Sequence, residues 1–206
     1  CLIVLLFVVF YYLDLKDLSN FNFIKQKGED LANLKNQNIF LFASIFCVAS
    51  VLWVLFLGFG SPVAILSGFI FGKWLGTFIC VVSFTFGATL LYSFANFYFK
   101  EFIIKYLSKK IEKYEIFFKK NELLYFLIFR FTGGGGVPFA IQNILPVIFN
   151  VKLKNYFVST FLGLVPTIFI INSLGEGINK IIEKNENVNY YSIISEPEIY
   201  LPITGF

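Results

Sequence analysis

The chain contains no histidine and no methionine, and Arg130 is its only arginine. The absence of histidine excludes the Ser-His and Cys-His pairs of nucleophilic catalysis and every histidine-ligated metal site. Cys1, Cys47 and Cys80 lie singly in apolar runs, without the spacing of metal ligands, and a buried cysteine usually behaves as a small hydrophobe. The sequence therefore predicts a protein that is not an enzyme and binds no metal or cofactor.

Charged residues are also scarce, at 15% of the chain, whereas hydrophobic residues make up 57% and the mean hydropathy is +0.75. Soluble domains average about 45–50% apolar residues and lack repeated apolar runs of about 20 residues. The sequence predicts an all-α, multi-pass membrane protein. Its net charge of +4 comes mostly from loop lysines, which favours contact with anionic lipid headgroups over nucleic acid.

The chain divides into three parts. Residues 1–38 combine the end of a first membrane helix with a polar surface segment, residues 39–187 form a membrane core, and residues 188–206 begin a C-terminal membrane helix. Because the chain lacks an initiating methionine and its two ends lie in apolar runs, we expect it to be a piece of a longer protein.

Within the core, residues 39–57, 77–99 and 156–174 are predicted spans. We expect the last span to be interrupted at Gly163 and Pro166 and to end at residues 175–177. In residues 100–122, apolar residues recur at steps of three and four and lysines fill other positions, which predicts an amphipathic surface helix. Three glycines recur at intervals of four, on one face of a predicted helix that another helix approaches closely: Gly68, Gly72 and Gly76.

Residues 130–146 hold four glycines, two prolines and Arg130 between apolar runs, so they form no regular helix. Irregular backbone at membrane depth must be covered by protein or line a cavity, and a membrane-buried cation is a candidate functional residue. Residues 58–62 are a similar break, and both breaks contain Pro-x-Ala-Ile, at 62–65 and 138–141. Paired breaks of this kind predict an inverted repeat, with two opposed re-entrant hairpins in the helical bundle.

If each hairpin returns to its side of entry, residues 14–38, 100–122 and 150–156 share one face, and residues 58–73 and 175–189 share the other. The first face carries most of the lysines and is therefore predicted to be cytoplasmic.

The predicted site is a receptor for a phosphate. Arg130 offers a planar fork of donors, a half-helix beginning near Pro138 directs its positive end to the same place, and Asn143 adds a neutral contact. Four backbone N–H groups are candidates for an anion-binding concavity: those of Gly133, Gly134, Gly135 and Gly136. Under the alternative interpretation, Arg130 only caps carbonyl groups freed by the break, and the glycines only permit the turn.

Two further residues complete the candidate set. Pro62 is expected to shape the first hairpin, as Pro138 shapes the second. Glu176, between two glycines at the predicted end of a span, either pairs with a cation, carries a proton, or simply faces water.

The order of these motifs resembles the DedA superfamily, also called VTT-domain or SNARE-associated Golgi proteins, in its Tvp-like branch. The resemblance covers roughly residues 50–178 and rests on the following positions: Gly68, Gly72 and Gly76, Gly87-Ala88, Arg130, Pro138-Phe139, Asn143, Thr160-x-x-Gly163-x-x-Pro166 and Gly175. Members closer to DedA itself carry carboxylates in the first half and a second arginine, but residues 58–99 here contain no Asp or Glu.

The resemblance implies two opposed re-entrant helices and the movement of lipids across the bilayer, often thought to be proton-coupled. The implied partners are membrane lipids, either an anionic phospholipid or a polyprenyl phosphate, and the implied location is the bacterial plasma membrane. Two alternatives stay open: a membrane scaffold without transport activity, and a carrier of ions or small solutes. The oligomeric state is open as well, and a homo-oligomer is compatible with the sequence.

Overall fold

The structure is a computed structural model that describes Gly28, Leu31, Asn33, Lys35 and residues 37–105 and 121–184. Its main elements are five helices: α1 (Ile39–Leu57), α2 (Ser61–Tyr98), α3 (Glu122–Phe131), α4 (Phe139–Ile148) and α5 (Leu153–Lys184). Three of them, α1, α2 and α5, are long and apolar enough to cross a membrane. The prediction of an all-α, multi-pass membrane protein is confirmed.

Several predictions fall outside the described residues. They are the first and last membrane helices, within residues 1–13 and 188–206, and the greater part of the surface segments in residues 14–38 and 100–122. Residues 100–105 are described and helical, in keeping with the start of the predicted surface helix.

The first break, between α1 and α2, lies at residues 58–60. The Asn38 side chain caps the start of α1 by accepting from the Leu41 N–H at 3.0 Å, and Gly58 ends the helix at φ 72°. That left-handed conformation costs glycine little. Pro62 lies in the first turn of α2, where its missing N–H leaves no helical bond unmade.

Helix α2 is a hairpin of two limbs, residues 61–71 and 73–98, that meet at Gly72. Gly72 has φ 76° and ψ 172°, outside any helical region. The Ser67 hydroxyl donates to the Gly76 carbonyl at 3.2 Å, although nine residues of straight helix would separate the two by about 13.5 Å. The expectation that Gly68, Gly72 and Gly76 share one helical face is therefore wrong, because Gly72 turns the chain back on itself.

The close approach predicted for these glycines does occur, on both limbs. A Cβ on Gly68 would overlap the backbone of Asn172 in α5, and a Cβ on Gly76 would lie 2.5 Å from the Asn172 side-chain oxygen. Gly175 of α5 meets the Ile65 carbonyl with equally little room. Small residues thus let α5 pack into the α2 hairpin.

Helix α5 runs without interruption from Leu153 to Lys184, so the predicted interruption at Gly163 and Pro166 and the predicted end at residues 175–177 are wrong. Both expectations treated Gly and Pro as helix breakers. In a packed membrane helix, neighbouring helices compensate for a proline, and the glycines serve as contact points for α2 and α3.

Contacts at the two ends of the bundle correct the predicted grouping of loops. The Lys35 ammonium donates to the Ile70 carbonyl at 2.9 Å, which places the end of the 14–38 segment beside the Gly72 turn rather than on the opposite face. At the other end, Lys100 bonds Asn150 at 3.0 Å, as the shared face of segments 100–122 and 150–156 predicts. The error arose because residues 58–73 do not form a loop on one face. Gly60 packs on the Phe84 ring, inside the bundle.

Candidate functional site

The second break is a turn built from four successive left-handed glycines. Residues 133–136 have φ values of 66°, 76°, 59° and 80°, a conformation that side chains with a Cβ rarely adopt. The Gly134 N–H donates to the Phe129 carbonyl at 2.7 Å, and those of Gly133 and Gly135 also donate inside the turn. Of the four N–H groups predicted to bind an anion, only that of Gly136 has no partner within the described residues.

Arg130 lies in the last turn of α3, immediately before this glycine turn, and is completely buried. Its Nη1 donates to Gln142 Oε1 at 2.9 Å, and its Nη2 donates to Asn143 Oδ1 at 2.5 Å and to the Tyr156 hydroxyl at 2.9 Å. These bonds go to side chains, whereas a capping arginine would bond backbone carbonyls. Three aromatic rings lie 5.0–5.6 Å from its guanidinium carbon: those of Phe126, Phe139 and Tyr156.

Within the part of the chain that the structure describes, the positive charge of Arg130 has no acidic partner. Gln142, Asn143 and Tyr156 are neutral, and within the described residues no Asp or Glu forms an ion pair with the guanidinium. In addition, Arg130 Nε and Asn143 Nδ2 are buried without a hydrogen-bond partner in this part of the chain. A buried charge that is neither paired nor fully hydrogen-bonded costs several kcal/mol. An anion bound beside Arg130 would compensate this charge.

Two residues of this network, Gln142 and Tyr156, were missed from the sequence. The Gln142 amide donates to the carbonyls of Gly133 and Val137, at 3.1 and 2.6 Å, while its oxygen accepts from Arg130. Both had a signal: Gln142 is the only other amide side chain in the break, and a buried tyrosine hydroxyl usually needs a partner.

Gly163 of α5 provides the room for Arg130. A Cβ at Gly163 would lie 2.5 Å from the Arg130 Cβ and 3.0 Å from the Leu127 carbonyl. The glycine that appeared to interrupt a span is therefore the point at which α5 accommodates the arginine.

A cavity of about 280 Å³ adjoins this network. Arg130 and Gln142 form part of its wall, and the first break contributes Gly60 and Ser61, so the two breaks meet at one place. The remaining wall comes from the glycine turn and the starts and faces of α2, α4 and α5: Phe84, Gly133, Gly136, Val137, Pro138, Phe139, Leu164, Thr167, Ile168 and Ile171. The cavity thus joins a polar end at Arg130 to an aliphatic and aromatic wall.

The predicted site residues divide into three groups. Those at the cavity or bonded to Arg130 are Arg130 itself, Gly133, Gly136, Pro138 and Asn143. Gly134 is buried beneath the Gln142 amide, and Gly135 is exposed with open space around it. Pro62 is exposed at the start of α2 and does not line the cavity.

Glu176 does not line the cavity. It lies five residues beyond Ile171, the last residue of α5 in the cavity wall, which is about 7.5 Å along the helix axis. One carboxylate oxygen accepts from the Lys73 backbone N–H at 2.8 Å, and the other pairs with Lys180 at 2.7 Å. Glu176 therefore caps the second limb of α2 at the Gly72 turn.

Comparisons with known proteins agree with this architecture. The VTT domain family matches residues 58–177. The chain is 26% identical to a Transmembrane protein 41 homolog of Caenorhabditis elegans over 87% of this chain and 74% of that protein. It is 29% identical to Transmembrane protein 41B of Mus musculus and of Homo sapiens over 63% of this chain.

The chain spans only 45% of the length of these two mammalian relatives. No solved structure matches it. The family match covers more than half of the chain and contains both breaks, Arg130 and the hairpin of α2. The chain belongs to the VTT-domain family, the DedA superfamily of integral membrane proteins.

Proposed function

We propose that the protein moves phosphate-bearing lipids across the bilayer, and that Arg130 receives the headgroup phosphate. The observation that carries the proposal is the fully buried guanidinium, which has only neutral partners among the described residues and forms part of a cavity wall. A phosphate is the ligand that best complements a planar guanidinium fork and its uncompensated charge.

The size of the cavity supports the proposal. Pockets that enclose drug-sized ligands have volumes of about 300–1,000 Å³, so a cavity of about 280 Å³ is of the size expected for a headgroup without its acyl chains. The Thr167 hydroxyl on its wall is buried without a partner in the described part of the chain, and the Gly136 N–H is a further donor. Both can bond phosphate oxygens.

The arrangement of the breaks gives the headgroup a route. We propose that α1 with the first limb of α2, and α3 with α4, enter the plasma membrane from opposite sides and return to them. Their tips, residues 58–61 and 132–138, both line the cavity. A headgroup that reaches Arg130 from one side is then close to the exit on the other.

Vesicles reconstituted with the whole chain and fluorescent phosphatidylglycerol test the proposal. We expect protein-dependent movement of the lipid between leaflets, lost in Arg130→Gln and reduced in Arg130→Lys, because lysine keeps the charge but not the fork. Lys100→Gln, which removes an exposed cation at the end of the bundle, is the control and should leave the rate unchanged.

Each variant must first give a monodisperse, cooperatively unfolding protein in detergent. Movement that is equal with and without protein would favour the scaffold alternative. Movement of the lipid that is unaffected in both folded Arg130 variants would exclude Arg130 as the receptor.

A further inference from the structure

The cavity wall carries a single formal charge. Of the fourteen described residues that line it, Arg130 is the only one that is ionised at neutral pH, and none is acidic. The polar remainder of the wall, Ser61, Gln142 and Thr167, is neutral. The partners of the guanidinium behind the wall, Asn143 and Tyr156, are neutral as well. Counted over the described residues, the site therefore has a charge of +1.

The charge of the occupant then decides how well it is accommodated. A ligand of charge −1 forms a neutral pair with Arg130. A ligand of charge −2 leaves one negative charge uncompensated beside a largely apolar wall, which is unfavourable.

A zwitterionic headgroup meets the opposite difficulty. Its phosphate neutralises Arg130, and its ammonium group then finds no carboxylate on the wall. The rings of Phe84 and Phe139 offer the ammonium a cation–π interaction, which does not offset the cost of burying it without a carboxylate. The wall therefore favours a headgroup whose net charge is −1.

We infer that the site selects lipid phosphates of a single negative charge, namely phosphodiesters with an uncharged headgroup alcohol such as phosphatidylglycerol. The inference rests on the proposed function and chooses between its two candidate lipid classes. A polyprenyl phosphate or a phosphatidate is a phosphomonoester, which gains its second negative charge above a pKa of about 6. Such a lipid fits the site only in its singly ionised form.

The test compares three labelled lipids in vesicles that contain the whole chain: phosphatidylglycerol, phosphatidate and phosphatidylcholine. At about pH 8, where phosphatidate is doubly ionised, we expect protein-dependent movement of phosphatidylglycerol to exceed that of the other two by more than about tenfold, the factor for 1.4 kcal/mol. At about pH 5 the phosphatidate rate should approach that of phosphatidylglycerol.

A second cation in the wall should change this preference. Thr167→Lys raises the charge of the site to +2, so phosphatidate should become the faster substrate at about pH 8. Thr167→Val keeps the size and adds no charge. It removes a donor to the phosphate and should slow the movement of all three lipids, but it should retain their original order. If Thr167→Lys does not fold, the pH comparison on the unmodified protein still decides the question.

Two different outcomes would contradict the charge selection and the proposed function. Arg130-dependent movement of phosphatidate at about pH 8 that equals that of phosphatidylglycerol would overturn the charge selection and leave the proposed function standing. If no lipid moves in an Arg130-dependent way, the proposed function fails together with the inference.

Discussion

Arg130 Nη1 lies 2.9 Å from Gln142 Oε1, and the amide nitrogen of the same glutamine donates to the carbonyl oxygens of Gly133 and Val137. One neutral side chain therefore ties the chain's only arginine to the glycine turn. Gln142 also lines the cavity. Its side-chain oxygen accepts from Arg130 Nη1, and an anion in the cavity could accept from the same nitrogen.

Replacing Gln142 with glutamate should abolish lipid movement by neutralising the site. The new carboxylate would pair with Arg130, and the wall would no longer favour an anion. Gln142→Met is the control: it keeps the charge of +1 and costs about 1–3 kcal/mol of stability, because the Gly133 and Val137 carbonyls lose their donor. A Glu variant as active as wild type in the phosphatidylglycerol assay would argue against a charge-based site.

The glycine turn can be tested with two neighbouring substitutions. A Cβ at Gly134 would overlap the Gln142 amide, whereas one at Gly135 meets nothing within 4 Å. Both residues have positive φ, so both alanine variants should lose about 1–2 kcal/mol for the left-handed conformation. Gly134→Ala should lose more and should also slow transport. Thermal unfolding in detergent measures the difference, and equal losses would mean that the Gln142 contact is unimportant.

Two buried tyrosines allow a matched comparison, because the hydroxyl of one bonds Arg130 and the hydroxyl of the other does not. The Tyr156 hydroxyl contacts Arg130 and Asn143, and the Tyr92 hydroxyl donates to the Val151 carbonyl at 2.6 Å. Removing either hydroxyl should cost roughly 1 kcal/mol of stability. Only Tyr156→Phe should change the rate of lipid movement, because Arg130 then loses a partner that orients it. Equal transport by both variants would mean that the Tyr156 hydroxyl has no role in lipid movement.

The fold and the burial of Arg130 could be predicted from the sequence where single residues carry strong physical constraints. A run of four glycines permits no helix at membrane depth, and a lone arginine there requires partners, so the turn and the burial of Arg130 followed from the sequence. Gly72 was misplaced because one glycine within an apolar run leaves both a helix and a hairpin open. The non-helical backbone of Gly72 and the Ser67–Gly76 bond distinguish the two.

The partners of Arg130 were harder to predict than Arg130 itself. Asn143 shares the break with Arg130, but Tyr156 is 26 residues away, and its contact depends on how α5 packs against α3. The role of Glu176 also depended on tertiary structure, since the N–H that it caps lies 103 residues earlier. Sequence spacing carries no information on either contact.

Glu176 should prove to be a stabilising residue rather than a transport residue. Glu176→Ala removes the acceptor of the Lys73 N–H and should cost about 0.5–2 kcal/mol, as the loss of a helix cap does. Glu176→Gln retains an acceptor oxygen and should cost less, since only the Lys180 pair is lost. Once folded, both variants should move phosphatidylglycerol at the wild-type rate. Loss of transport in the folded Gln variant would indicate that Glu176 takes part in lipid movement.

Binding of a phosphodiester lipid to the purified protein tests the role of Arg130 most directly. Native mass spectrometry with short-chain phosphatidylglycerol should show a retained lipid on the wild-type chain and on Lys100→Gln. Folded Arg130→Gln should retain none. Equal retention by Arg130→Gln and the wild-type chain would contradict the assignment of the buried guanidinium as the phosphate receptor.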